Sequence, residues 1–319
     1  MKISVLGCGR WGSFIGWYLV NNGHDVIQWG RKGNFTFDIL KNTGRNEYVE
    51  LDKRINLTSN LEFAITNSDV IIISISAQSL RSFAKTLTQF DLFNKKFVLC
   101  MKGIEVDTGK RLSEVLCDCG ISSDNIAVWV GPGHIQAFVK GNPNCMVIDS
   151  ANKELTKYLC DNLRGELIRF YYGDDIIGSE IGAAAKNVMG IAAGMLDGGG
   201  YTTLKGPLMA RGAREIARLI KAMGGNELSA YGLCHLGDYE TTLFSEYSNN
   251  RKFGEQFVKG EKFSKLAEGV STTKALRLLG EKYEVDLPIT NAVYSILYEE
   301  KEPMSVFLQL FSRSTRKEF

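Results

Sequence analysis

Residues 2–12 read KISVLGCGRWG, a strand-like run that ends in a glycine pattern. Lys2 to Leu6 is short, apolar and β-branched, the composition of a buried strand. It runs directly into Gly7-Cys8-Gly9-Arg10-Trp11-Gly12, a G-x-G-x-x-G pattern. Trp11 to Asn22 then reads as a helix, with Gly23 where a left-handed helix stop belongs. Strand, glycine pattern and helix in that order predict a dinucleotide-binding turn. Gly7 permits the tight turn, Gly9 lets a pyrophosphate approach the backbone, and Gly12 lets helix and strand pack closely. The helix N-terminus offers N–H groups and partial positive charge to the phosphates. The alternative is a glycine-rich turn with no ligand.

Asp25–Trp29, Asp69–Ile75, Phe97–Met101 and Ile126–Val130 read as further strands. Continuous apolar strands alternating with helical stretches predict a mostly parallel sheet covered on both faces. Residues 33–60 are polar and weakly patterned. Beyond residue 178 the texture changes. Ile181 to Met195 is rich in Ala, Gly and Met, the composition of a closely packed helix. Residues 207–223 place Met209, Ala213, Ile216, Leu219, Ile220 and Met223 on one helical face, ended by Gly224-Gly225. The chain is therefore expected to hold an α/β Rossmann-like dinucleotide-binding domain over residues 1–178 and a mostly helical substrate and catalytic domain over 179–319.

Composition narrows the function. With 44 % hydrophobic and 23 % charged residues, the 319-residue chain has core enough for two domains, not the make-up of a disordered one. The net charge of +2, without a basic run interleaved with aromatics, argues against nucleic acid. The run Val70-Ile71-Ile72-Ile73 is far too short for a membrane span, and the N-terminus does not read as a signal peptide. Seven cysteines with no C-x-x-C pair read as reduced thiols in a cytoplasmic protein. His24, His134 and His235 lie far apart, and no metal site is expected.

Several residues could carry chemistry. The second strand ends in Trp29-Gly30-Arg31-Lys32, with no acid for a ribose 2′-hydroxyl and two cations that could receive a 2′-phosphate. The cofactor is thus expected to be NADP, or either NADP or NAD; simple solvated cations are the alternative. Lys186 sits in GAAAKNVMG, residues 182–190, a charge among small and apolar neighbours. Desolvation would make it a usable proton donor or acceptor, whereas an outward, snorkelling lysine fits the composition equally. Asp238, after Gly237, reads more readily as a helix N-cap than as a partner for another side chain. Lys102-Gly103 and Gly131-Pro132-Gly133-His134 both follow strands at the carboxyl edge of the sheet, where open α/β sheets bind ligands.

Together these residues resemble the NAD(P)-dependent glycerol-3-phosphate dehydrogenase family. The likeness runs from the first strand to about Leu279. It rests on the glycine loop with Trp11, Lys102-Gly103-Ile104-Glu105 ending in Thr108-Gly109, Gly131-Pro132, Lys186-Asn187-Val188, Arg211-Gly212, Gly237-Asp238, Asn250-Arg251 with Phe253-Gly254, and Ala267-Glu268-Gly269. The resemblance implies reduction of dihydroxyacetone phosphate to sn-glycerol 3-phosphate, with Lys186 as general acid/base and Asp238 and Asn187 beside it. It implies Lys102, Gly131, Gly133, Thr242, Ser248 and Asn250 at the substrate. It implies Gly7, Gly9, Arg10, Trp11, Gly12, Arg31, Lys102, Ile135, Asn249, Leu266 and Glu268 at the cofactor. A homodimer would follow from the family alone.

Three departures stand out. The family's G-P-S-x-A loop is here Gly131-Pro132-Gly133-His134-Ile135, which loses a hydroxyl and gains a bulkier side chain. Its Arg-Asn-Arg is here Asn249-Asn250-Arg251, and Asn does not replace a guanidinium that grips phosphate with two donors. Such a loss costs on the order of 2–5 kcal/mol unless Arg251, Lys252 or Lys205 compensates. Residues 33–56 are atypical and shorter than the family's loop region. Two alternatives follow: a reductase of another small phosphorylated or carboxylated ketone, or a non-catalytic nicotinamide-binding sensor or structural protein.

Overall fold

Buried β-branched runs build the sheet, and small residues build the main helix of the second half. A computed structural model describes residues 1–315, 317 and 318. Its strands are β1 (Lys2–Leu6), β2 (Asp25–Trp29), β3 (Asn56–Thr58), β4 (Val70–Ile73), β5 (Lys96–Leu99), β6 (Ile126–Val130), β7 (Asn144–Ser150) and β8 (Ile168–Tyr172). Its helices are α1 (Arg10–Asn21), α2 (Phe35–Thr43), α3 (Leu61–Thr66), α4 (Leu80–Leu87), α5 (Leu112–Asp118), α6 (Ile135–Val139), α7 (Lys153–Leu163), α8 (Ile176–Gly198), α9 (Lys205–Ala222), α10 (Asn249–Val258), α11 (Glu268–Lys282), α12 (Pro288–Tyr298) and α13 (Pro303–Phe311). The chain forms two compact units: residues 1–102 with 110–180, and residues 103–109 with 181–319.

The first unit holds one eight-stranded sheet in the order β3-β2-β1-β4-β5-β6-β7-β8. The first six strands run parallel; β7 is antiparallel to β6, and β8 is parallel to β7. The α/β class and the mostly parallel sheet are as expected, and the five strands read from the sequence all form. Three strands went unread. β3 and β8 are sheet edges whose side chains are mostly half-buried or exposed, so neither carries a continuous apolar signal. In β7, Asn144, Cys145 and Asp149 interrupt the apolar run. Residues 33–60 contain α2, capped by the Asn34 side chain, as well as β3.

The second unit is helical around α8. Gly190, Gly194 and Gly198 on this helix face α10. A Cβ at Gly194 would lie 1.9 Å from the Arg251 carbonyl oxygen, and one at Gly198 would lie 2.8 Å from that of Glu255. From the other side, a Cβ on Gly254 would lie 2.1 Å from the Ile191 carbonyl oxygen. The two backbones therefore touch with no side chain between them. On α9, Glu215 is buried and accepts the N–H groups of Ile289 (2.7 Å) and Thr290 (3.0 Å) and the Thr290 hydroxyl (2.7 Å), capping α12 from outside. Among the described residues, no helix is long and apolar enough to cross a membrane.

Gly194→Ala tests the backbone contact. Helix propensity favours alanine by about 1 kcal/mol, yet the new methyl must displace a carbonyl. We expect a net loss of about 1–3 kcal/mol in urea unfolding; unchanged stability would refute the contact. Glu215 gives a pH signature. Burial pushes its carboxyl up from 4.5 to about 7. A pKa raised on folding contributes stability below the unfolded value and loses it as pH rises to the folded one. Between pH 4.5 and 7, wild type should lose on the order of 3 kcal/mol relative to Glu215→Gln. Parallel stability curves for the two proteins would remove Glu215 as the source.

Candidate active site

In the first unit the glycine loop follows β1, which lies between β2 and β4, where the strand order reverses. Gly7 has φ +130°, and a Cβ there would lie 2.0 Å from the Ser74 carbonyl oxygen. A Cβ at Gly12 would lie 2.2 Å from the Gly7 carbonyl oxygen. Gly9 differs: among the described residues, its two chain neighbours aside, nothing lies within 4 Å of its Cβ position. Gly9 is also the N-cap of α1, with no capping side chain and no acid in the first turn. With no side chain capping it, that turn presents its N–H groups to a pyrophosphate, and the open space above Gly9 is room for one to approach. Arg10 and Trp11 stand at this turn. The Arg10 guanidinium lies 5.5 Å from the Tyr48 ring centroid and Trp11 packs on Phe14, while the buried Trp11 Nε1 has no hydrogen-bond partner among the described residues. Tyr48 is an addition that the reading of residues 33–60 did not anticipate.

The other first-unit candidates divide. Arg31 and Lys32 are exposed after Gly30. Lys102 Nζ donates to the Gly131 carbonyl at 2.7 Å, joining the ends of β5 and β6. Ile135 is fully buried in the core, which leaves only its backbone for a ligand. A Cβ on Gly133 would lie 2.4 Å from the Phe138 ring, and that ring stacks on Phe14 at 4.9 Å. A serine fits at Gly133 only if Phe138 moves.

The second unit gathers the polar candidates around Lys186. This lysine is 7 % exposed on α8, so the snorkelling alternative is excluded. Its Nζ lies 2.7 Å from Asp238 Oδ2 and donates to Thr242 Oγ1 at 2.9 Å. Asp238 is buried too, in a 3₁₀ turn over Leu236–Asp238, and its other oxygen accepts the Thr241 hydroxyl. It is thus the partner of a buried cation, and the N-cap expected for it is not formed. Each charge offsets the desolvation of the other. Thr241 and Thr242 lie in a π-helical turn, Glu240–Phe244, which aims both hydroxyls inward. Alongside, Asn250 Nδ2 donates to Asn187 Oδ1 at 3.0 Å, and Asn250 Oδ1 accepts the Gly269 N–H at 2.9 Å.

The remaining candidates are less central. Ser248 Oγ accepts the Arg251 N–H and caps α10. Asn249 Nδ2 donates to the carbonyl of the exposed Leu266, two residues before Glu268 opens α11. Two of the cations expected to compensate for Asn249 are already engaged. Lys205 pairs with Asp197 at 2.6 Å and donates to the Leu243 carbonyl. Arg251 pairs with the same Asp197 oxygen at 2.9 Å and with Glu255. Lys252 is exposed on α10. Asp197 was not anticipated, because an acid near the end of a helix carries no local mark of its partners.

The family model described as NAD-dependent glycerol-3-phosphate dehydrogenase N-terminus matches residues 2–156, and that of the C-terminus matches residues 175–308. A glycerol-3-phosphate dehydrogenase [NAD(P)+] of Prosthecochloris aestuarii is 34 % identical over 331 residues, spanning 100 % of both chains. One of a Thermoanaerobacter species is 34 % identical over 328 residues, spanning 100 % of this chain and 99 % of that protein. The crystal structure of a Coxiella burnetii glycerol-3-phosphate dehydrogenase is 25 % identical, with a TM-score of 0.90 over 98 % of this chain and 99 % of that one.

The glycine geometry separates folding from binding. Gly9→Val should fold with a melting temperature near that of wild type and lose NADPH binding, measured by nicotinamide fluorescence. Gly12→Val should fail to fold. Undiminished NADPH affinity in Gly9→Val would show that no pyrophosphate meets this turn.

Proposed function

The chain belongs to the NAD-dependent glycerol-3-phosphate dehydrogenase family, and from that membership we propose that it reduces dihydroxyacetone phosphate to sn-glycerol 3-phosphate. The observation that carries the mechanism is the buried Lys186 ammonium held by Asp238 and Thr242. A reduced nicotinamide, when bound, supplies a hydride to the carbonyl carbon. Lys186 gives its Nζ proton to the carbonyl oxygen as the C=O π bond breaks, so that oxygen ends as a hydroxyl. The neutral amine then regains a proton from solvent, and in the reverse direction it takes the hydroxyl proton. Asp238 keeps the ammonium in place and offsets its burial, and Thr242 fixes its direction. Asn187 and Asn250 form the polar wall beside the amine.

The dinucleotide would be held by Gly7, Gly9 and Gly12, by the α1 N-terminus, and by Arg10 and Trp11. Arg31 and Lys32, with no acid at the end of β2, favour a 2′-phosphate, so NADPH is the preferred donor and NADH is accepted. Lys102, Gly131 and Ser248 are assigned to the substrate. A cytoplasmic homodimer accompanies this reading; the seven free thiols support the compartment.

One observation favours a second reading, a different small ketone with the same lysine chemistry. Lys205 and Arg251 both spend their charge on Asp197, which leaves Asn249 without those substitutes for the missing arginine. Oxidation of NADPH and of NADH by the purified protein decides between the two. Rapid turnover with dihydroxyacetone phosphate, well ahead of carboxylated and unphosphorylated ketones, supports the first reading; a better rate with another ketone supports the second. Lys186→Ala should lower kcat about 10²–10⁴-fold with NADPH affinity intact. Retained turnover in that variant would sink the lysine assignment in both readings.

A further inference from the structure

His235 and Tyr239 flank the turn that presents Asp238, and both side chains are fully buried. His235 Nδ1 lies 2.8 Å from the Gly182 carbonyl oxygen, and the Tyr239 hydroxyl lies 2.6 Å from His235 Nε2. A carbonyl only accepts, so the ring proton sits on Nδ1. Nε2 is then an acceptor, and the tyrosine hydroxyl donates to it. Burial keeps the ring neutral by pushing its pKa down to about 4. The two rings meet edge to face, with centroids 4.8 Å apart.

Gly182 precedes Lys186 by one helical turn, and its carbonyl is the acceptor that α-helix geometry assigns to the Lys186 backbone N–H. The turn bearing Asp238 is thus tied to the turn bearing Lys186 by a route separate from their ion pair. Little slack exists along it. A Cβ on Gly182 would lie 3.1 Å from His235 Cβ, and one on Gly212 would lie 3.1 Å from the Tyr239 hydroxyl oxygen.

We propose that His235 and Tyr239 are positioning residues, whose hydrogen-bonded chain to Gly182 sets the placement of the Asp238 carboxylate against the Lys186 ammonium. The inference rests on the reading of Lys186 as the proton donor. Neither residue is assigned to substrate or cofactor, so the loss falls on kcat and not on KM. A displacement of about 1 Å at a reacting group costs on the order of 10²-fold in rate.

Tyr239→Phe removes one oxygen and keeps the packing. In this variant kcat with dihydroxyacetone phosphate should fall about tenfold or more, with KM and NADPH affinity unchanged and a larger solvent deuterium isotope effect. His235→Ala should fall further, and His235→Asn, which restores a donor near the Nδ1 position, should recover part of the rate. Without substrate, the pH midpoint of Lys186, followed by carbon NMR of lysine-labelled protein, should differ between wild type and Tyr239→Phe. A change in kcat or in that midpoint, at constant KM, supports the inference. Wild-type values for both in a folded Tyr239→Phe protein overturn it, and so does a rise in KM alone. A wild-type enzyme inactive on dihydroxyacetone phosphate removes only the substrate assignment, because the Lys186 midpoint still decides this one.

Discussion

The second unit depends on a contact made without side chains. Gly182, Gly190, Gly194 and Gly198 recur at multiples of four along α8, and Lys186 occupies the remaining place in that series. Positions four apart form one ridge of a helix. The glycines let the turn at 234–242 and the backbone of α10 approach α8 to van der Waals distance. The lysine on this ridge therefore has no route to solvent along its own face. Its burial follows from the residues around it, and the ion pair with Asp238 makes that burial tolerable.

Glycine serves a different purpose in the first unit. Gly7 and Gly12 are required by their own chain, since a side chain at either would enter a backbone carbonyl. A side chain at Gly9 would meet none of the described residues beyond its own chain neighbours. A motif usually read as one unit thus separates into two residues that build the turn and one that leaves it open. The N-terminus of α1 points the same way, because it has neither a capping side chain nor an acid in its first turn.

The sequence made the central features legible and hid others for physical reasons. Strands buried on both faces, such as Val70–Ile73, announce themselves as apolar runs; the edge strands β3 and β8 bury too little to do so. Lys186 was equally compatible with two environments, because composition does not say which way a helix turns. The four-residue repeat of glycines around it does say so, and was the available signal. Asp238 after a glycine looked like a cap because capping is local, whereas its partner lies 52 positions earlier in the chain. Arg251 and Lys205 looked available for phosphate for the same reason: their commitment to Asp197 exists only in three dimensions. Ser248 also caps α10, a local role that its reading beside the substrate had not included.

The glycine ridge also has an entropic side. Docking a helix face made of glycine freezes no side-chain rotamers, so the contact draws on dispersion between backbones and not on interlocked side chains. Along Gly182, Lys186, Gly190, Gly194 and Gly198, only the lysine has side-chain torsions. The conformational freedom of that ridge is concentrated in one flexible stem, and whatever adjustment the amine makes during a turnover can be made by rotating its own bonds while the helix beneath it stays still.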